Sequence, residues 1–347
     1  MLSPEAISIV GTITLGLVFV WAFTDGFIGS TTATAPLVAS GTTTLRTGVL
    51  YGAITNFIGV MIGGSAVVIT VSQLVTGLAG QDLLLVVLAA TVGSVIWNLV
   101  AFRFALPTST VHTLVGGLVG AAAACVGPNG VLWGTSELLG PQHELIGVTK
   151  VVLFLLATVL IGLFGSYLVM RSFSSLLRNA RRDANRNLRR LQLLASGLLS
   201  ISNGANDGQK QLGYVVLALA AASTAAVEPV PLWARVLIGV LLSSGALVGG
   251  WRIVRRLSVE IYEIRPLHGI ASQATSTAAL ALSTLAGAPV STNEIISTSI
   301  LGAGAAEYPG LVGWSVGRQM LIGWLVTIPS TAAISAVVFW ALRSLLG

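Results

Sequence analysis

Seven long apolar runs constrain this chain more than any other feature of its sequence. A helix needs about 20 mostly apolar residues to cross the hydrocarbon core of a bilayer. Runs of that kind lie near residues 6–24, 47–72, 83–102, 148–170, 231–250, 267–287 and 318–342. Only 9% of the residues are charged, whereas a soluble domain carries about 25%. The sequence therefore predicts an all-α, polytopic integral membrane protein.

Four shorter apolar runs lie near residues 111–126, 191–202, 212–227 and 293–306. They are short for a full crossing. Such segments are typical of half-helices or re-entrant hairpins, which persist at membrane depth only inside protein or beside a wet cavity. We therefore expect broken helices within the bundle.

The net charge of +6 comes mainly from arginine in short loops between apolar runs. Residues 171–190 hold seven arginines and one acid, Asp183. Short basic loops stay on the cytoplasmic side of a membrane, so this linker is predicted to be cytoplasmic and to contact water or lipid headgroups rather than nucleic acid. It separates a first transmembrane repeat, 1–170, from a second, 191–347. Small loops and the lack of a targeting segment favour a bacterial plasma membrane.

The two sides of the linker repeat one another. Pro107–His112 reads P-T-S-T-V-H and Pro289–Glu294 reads P-V-S-T-N-E, and each is followed by an apolar run. Upstream, each half has a polar, glycine-containing break, at 24–32 and at 202–210. Two related halves with matching breaks predict a transporter whose site lies between the repeats near mid-membrane.

The Pro-x-Ser-Thr segments suggest an anion site. Proline suits the first turn of a helix, and serine or threonine beside it can cap the helix. A half-helix that begins there directs unpaired backbone N–H groups and a positive dipole end into the protein. Ser109 and Thr110 in one half, with Ser291 and Thr292 in the other, could share one tetrahedral anion. The alternative is ordinary capping of two short helices.

The segment Gly204–Lys210, G-A-N-D-G-Q-K, could supply ligands for a cation. Glycines on both sides allow the helix to unwind and release carbonyl groups. Asn206 and Asp207 add oxygen ligands suited to sodium or to a proton relay, and charges inside a membrane are functional by default. Lys210 could pair with Asp207 or hold the anion, and the alternative is a buried pair that only fixes packing.

The first half offers Asp25, Thr31 and Thr32 in the corresponding break. Asp25 lies one helical turn before Gly29 and could reach the same cavity, or it could be an interfacial acid at a helix end. Glu294 could carry a proton or could stabilise the N-terminus that it follows. His112 occupies the matching place in the first half and is expected to be simply hydrogen-bonded.

These motifs resemble the inorganic phosphate transporter (PiT) family of sodium- or proton-coupled permeases. The resemblance covers nearly the whole chain and rests on Phe23–Phe27, Asn56–Gly59, Pro107–His112, Gly204–Lys210, Gly249–Ile253 and Pro289–Thr292. It implies two inverted repeats with helical hairpins, a homodimer, and phosphate held between the repeats. The implied substrate-binding residues are Ser109, Thr110, Thr31, Asn206, Gln209, Lys210, Ser291 and Thr292. The implied cation-coupling residues are Asp207, Asn206, Asp25, Thr32 and Glu294.

The chain departs from the family pattern in its first repeat. Where the family usually reads N-G-F-H-D-A-A-N, this chain reads D-G-F-I-G-S-T-T over 25–32, so Gly29 and Thr32 replace an acid and an amide. Glu294 replaces the second-repeat histidine. We hypothesise that Asp25 or Glu294 restores the missing negative charge, as a proton site rather than a sodium site.

The favoured function is secondary active symport of inorganic phosphate with sodium or protons by alternating access, without a further cofactor. Transport of sulfate or another tetrahedral oxyanion and a non-transporting oxyanion-binding subunit are alternatives, because hydroxyls and amides select weakly by charge. An intramembrane enzyme would need a nucleophile with a base in reach. Ser109 and His112 are one such pair, but both halves repeat the Ser-Thr unit and only one has the histidine, which fits binding better.

Overall fold

The computed structural model describes residues 3–30, 32–104, 108–177, 184–222, 230–260 and 263–346. No β-strand occurs in these ranges. Their fourteen α-helices are α1 (Pro4–Asp25), α2 (Ala35–Ala39), α3 (Leu45–Ile62), α4 (Ala66–Ser72), α5 (Gly80–Arg103), α6 (Thr110–Val126), α7 (Thr135–Leu139), α8 (Gly147–Leu160), α9 (Ser166–Leu176), α10 (Ala184–Ala222), α11 (Leu232–Glu260), α12 (Pro266–Leu285), α13 (Thr292–Glu307) and α14 (Trp314–Leu346).

Six helical stretches in the described ranges are long and apolar enough to cross a membrane. They are Pro4–Asp25, Leu45–Ile62, Gly80–Arg103, Gly147–Leu176, Leu232–Gly249 and Gly317–Leu346. The fourth joins α8 to α9 through a π-helical turn, Ile161–Gly165. The middle of the predicted linker, 178–183, lies outside the described residues.

Two of the predicted half-helices are present as expected. α6 has 17 residues and α13 has 16, which is about 25 Å of helix at 1.5 Å per residue. Ser109 and Ser291 are their N-cap residues, both in extended backbone conformation. Most of each helix is buried, as a half-helix at membrane depth requires. Pro107 lies outside the described residues.

The predicted break in the second half is wrong. α10 is one continuous helix of 39 residues, so the two short runs on either side of Gly204 are parts of a single element. The glycines allow α3 to pack closely against α10, and the helix does not unwind at them. A Cβ atom on Gly204 would overlap the backbone carbonyl of Asn56 on α3, and one on Gly208 would press on Val60.

The predicted break in the first half is present. α1 ends at Asp25, a π-helical turn covers Gly26–Ser30, and a 3₁₀ turn covers Thr32–Thr34 before α2 begins. A Cβ atom on Gly26 would overlap the backbone of Leu242 on α11. The π-helical turn therefore lies in close contact with α11.

The two halves of the chain interlock. From the first half, α3 packs along α10, and α8, α9 and the turn between them pack against α13. From the second half, α11 packs on α1 and its π-helical turn, and α14 packs on α5 and α6. Trp21 and Tyr214 meet in the core with ring centroids 4.8 Å apart. The two halves therefore share a hydrophobic core.

Candidate functional site

The first turns of α6 and α13 meet inside the protein. His112 and Glu294 are each the third residue of their helix, and the His112 Nδ1 and Glu294 Oε1 atoms lie 3.0 Å apart. Both side chains are buried. Because these residues occupy equivalent positions in the two helices, their contact shows that the two N-termini lie side by side.

The helix ends leave polar groups available at this junction. Neither Ser109 nor Ser291 uses its side chain to cap its own helix. The Ser109 Oγ and Thr292 Oγ1 atoms are buried and have no hydrogen-bond partner among the described residues. Two helix N-termini with their hydroxyls form an arrangement that favours an anion.

Asp207 and Lys210 form a buried ion pair on α10 beside this junction. Their side chains are 5% and 1% exposed. The Lys210 Nζ atom also donates to the Val290 carbonyl oxygen at 3.2 Å, one residue before the N-cap of α13. The pair therefore ties α10 to the entrance of α13, and its lysine places a positive charge beside the two N-termini.

Asn206 holds the segment that leads into α13. Its Nδ2 donates to the Thr284 hydroxyl at 2.9 Å and to the Ala288 carbonyl at 3.1 Å, and its Oδ1 accepts from the Val290 N–H at 3.2 Å. Asn206 therefore positions the turn that leads into α13.

Gln209 has a similar supporting position. Its Oε1 accepts from the Val67 N–H in the first turn of α4 at 2.9 Å, and its Nε2 donates to the Ala205 carbonyl at 2.8 Å. The Gln209 amide therefore caps α4, and the substrate-binding role that the resemblance implies for it stays a prediction.

Asp25, the first-half counterpart of Asp207, lies near the same junction. It is 1% exposed and accepts a hydrogen bond from Gln211. Its Oδ1 has no hydrogen-bond partner in the described part of the chain. The bond to Gln211 ties the end of α1 to α10 of the second half, and a role for Asp25 in the site stays a prediction.

Thr32 completes the first-half contribution. Its hydroxyl donates to the Asn293 Oδ1 atom at 2.6 Å. A Cβ atom on Gly29 would lie 3.7 Å from Asp25 Oδ1 and 3.8 Å from Asn293 Nδ2, so these groups surround the position where the family carries an acid. Thr31 lies outside the described residues.

The sequence did not point to Gln211 or Asn293, and it predicted a hydrogen bond for His112 without naming Glu294 as the partner. Both missed residues adjoin recognised motifs, Gln211 after Gly204–Lys210 and Asn293 after the second Ser-Thr. Their position next to these motifs was the one signal by which the sequence could have pointed to them. Their partners come from the other half of the chain, which the sequence does not reveal.

Among the described residues, the site has more acidic than basic side chains. Asp25, Asp207 and Glu294 face Lys210 and the ionisable His112. Buried charge must be compensated, so this excess of carboxylates calls for a positive charge or a proton at the site.

The sequence profile of the phosphate transporter family matches residues 25–335. The chain belongs to this family. It is 37% identical over 322 residues to a Mycobacterium bovis protein named "Probable low-affinity inorganic phosphate transporter", covering 91% of this chain and 74% of that one. A Bacillus subtilis protein of the same name is 28% identical over 324 residues, covering 92% and 93%.

A solved structure titled "The sodium-dependent phosphate transporter" has the same fold. It superposes with a TM-score of 0.84 at 23% identity, covering 97% of this chain and all of that one. The predicted family and the all-α membrane fold are thereby confirmed. The family and its members are transporters, which also confirms the prediction of a transport protein rather than an enzyme.

Proposed function

We propose that this protein is a secondary active symporter of inorganic phosphate, coupled to sodium or protons, that works by alternating access. The observation that carries the proposal is the meeting of the α6 and α13 N-termini, joined by His112 and Glu294 at 3.0 Å. Phosphate would bind where both helix dipoles and the Ser109 and Ser291 ends face the Lys210 ammonium. The names of the bacterial relatives agree with that substrate.

The coupling cation follows from the charge balance of the site. The family's first-repeat acid is Gly29 here, so a sodium site built on that acid lacks one ligand. Asp25 and Glu294 supply carboxylates at the same junction, and each can bind a proton. We therefore favour protons, with Asp25 or Glu294 as the carrier and Asp207 held by Lys210.

The membrane setting is part of the proposal. We place the protein in a bacterial plasma membrane as a homodimer surrounded by lipid, with the basic linker 171–190 in the cytoplasm. The two repeats, 1–170 and 191–347, would run in opposite directions through the bilayer and move about the central site.

Reconstitution tests the function. Liposomes that contain only this protein are loaded under a sodium gradient or a proton gradient, each alone, and uptake of labelled phosphate is measured with and without excess sulfate. Proton-driven uptake that sulfate does not inhibit supports the proposal. Strong inhibition by sulfate would favour a general oxyanion transporter, and phosphate binding without flux would favour a non-transporting subunit.

Glu294→Gln and Asp25→Asn test the proton carrier. Each substitution removes a carboxylate and keeps a hydrogen-bonding side chain. Loss of proton-driven accumulation with retained phosphate exchange across the membrane identifies the carrier, since exchange needs binding but no net coupling. Strict sodium dependence in the unsubstituted protein would refute the proton assignment.

A further inference from the structure

One face of α10 carries an unusual line of polar side chains that ends at Asp207. Ser196, Ser200, Asn203 and Asp207 recur at intervals of four, three and four residues, so they share one side of the helix. The first three are fully buried. Their side-chain oxygen and nitrogen atoms have no hydrogen-bond partner in the described ranges.

A polar side chain on α12 lies across from this line. α12 runs parallel to α10, because Gly269 adjoins Gln192 and Thr284 bonds Asn206. Gln273 lies one turn after Gly269 and is fully buried. Its Nε2 donates to the Ala33 carbonyl at 3.2 Å, while its Oε1 has no hydrogen-bond partner within the described residues.

Gln192 lies at the end of this line that is nearer to the start of α10. Its Oε1 accepts from the hydroxyls of Ser40 at 2.8 Å and Thr42 at 2.6 Å, and its Nε2 donates to the Pro36 carbonyl at 2.9 Å. Gln192 is fully buried, whereas Ser40 and Thr42 are half-buried and Gly41 is exposed. These bonds connect α10 to the segment after α2 just beneath the protein surface.

Buried polar groups without partners are costly. Roughly 90% or more of such groups in folded proteins are satisfied by protein or ordered water. Three residues with such atoms on one face of α10, with Gln273 opposite them on α12, point to water that satisfies them together. Neutral hydroxyls and amides also suit the passage of hydrated ions of either sign.

We propose that this polar face of α10 lines a hydrated passage from the linker side of the protein to Asp207, and that Gln192 with Ser40 and Thr42 is its gate. The inference rests on the proposed transport function, because it supplies the route by which phosphate and its coupling ion reach or leave the central site. Three side-chain hydrogen bonds hold Gln192 in place, and opening the gate would break them.

Cysteine labelling tests the passage, because Cys125 is the chain's one cysteine. In a Cys125→Ser background, Ser196→Cys and Ser200→Cys are each exposed to a membrane-impermeant methanethiosulfonate in vesicles of known orientation. Leu198→Cys is the matched control on the outer face of the same helix, where Leu198 is 48% exposed. We expect the two serine positions to react from the linker side, at least tenfold faster than Leu198→Cys.

The gate is tested in the same assay by adding Gln192→Ala, which should accelerate labelling of Ser196→Cys and Ser200→Cys by tenfold or more. Rates equal to the Leu198→Cys control, with and without Gln192→Ala, would overturn the proposal. Size-exclusion profiles show which variants keep their fold. Radiolytic labelling of the unsubstituted chain, read at the peptide that holds Ser196–Asn203, tests for the same water without substitution.

Phosphate uptake by the same vesicles separates the two proposals. Labelling without uptake retains the passage and refutes symport. Uptake without labelling and without radiolytic modification refutes the passage and retains symport.

Discussion

At the residue scale, the buried pair of Asp207 and Lys210 is the strongest constraint on the site. Removing one partner of a buried pair leaves an uncompensated charge and costs about 3–5 kcal/mol. Lys210→Met should therefore lower the free energy of unfolding in detergent by that amount. The double variant Asp207→Asn/Lys210→Met should recover much of the loss while phosphate uptake stays absent. Equal stability of the single and double variants would contradict this account.

The hydroxyls at the two N-caps allow a second prediction. A hydrogen bond to a charged group contributes about 1.5–3 kcal/mol, so Ser109→Ala and Ser291→Ala should each weaken phosphate binding by roughly tenfold or more. Ser283→Ala is the control, because the Ser283 hydroxyl bonds the Ala279 carbonyl of its own helix. Calorimetric titration with phosphate measures all three, and unchanged affinity at both N-caps would exclude hydroxyl contact with the anion.

At the element scale, local signals in the sequence predicted the ends of α6 and α13 to within one residue. Ser109 and Ser291 begin these helices because N-cap chemistry depends on neighbours along the chain. The continuity of α10 could not be predicted in the same way. A glycine can unwind a helix or admit a neighbouring one, and the choice at Gly204 depends on Asn56 of α3. The pairing of His112 with Glu294 likewise depends on how the halves interlock.

The close contact between Gly204 and Asn56 predicts the effect of adding one methyl group at Gly204. Gly204→Ala would drive a Cβ atom into the Asn56 backbone, and overpacking of this kind costs about 1–3 kcal/mol. Gly16→Ala in α1 is the matched control, because a Cβ atom there meets nothing within 4 Å and alanine favours a helix by about 0.5–1 kcal/mol. Thermal unfolding in detergent should show Gly204→Ala less stable and Gly16→Ala equal or more stable than the parent. A Gly204→Ala protein as stable as the parent would favour the unwound segment that the sequence predicted.

At the scale of the whole molecule, the site is shared between the halves. His112 and Glu294 come from different halves, as do Asp25 and Gln211 and also Thr32 and Asn293. The packing is shared as well, because α14 covers α5 and α6 while α8 and α9 cover α13. A bilayer supplies little hydrophobic force between helices, so these polar contacts and close glycine contacts hold the halves together.

Cutting the chain within the linker tests whether the site is shared between the two halves. If the linker only connects the halves, fragments that end and restart between Leu176 and Ala184 should assemble when they are co-expressed and should take up phosphate. Either fragment alone should aggregate and bind none, because each would expose the faces of α10 or α6 that the other half covers and would lack one of the two helix N-termini. Co-purification through a tag on one fragment, followed by uptake in liposomes, measures both outcomes. Phosphate binding by one fragment alone would show that a single helix N-terminus suffices, and the shared site would then be the wrong description of how this protein holds its anion.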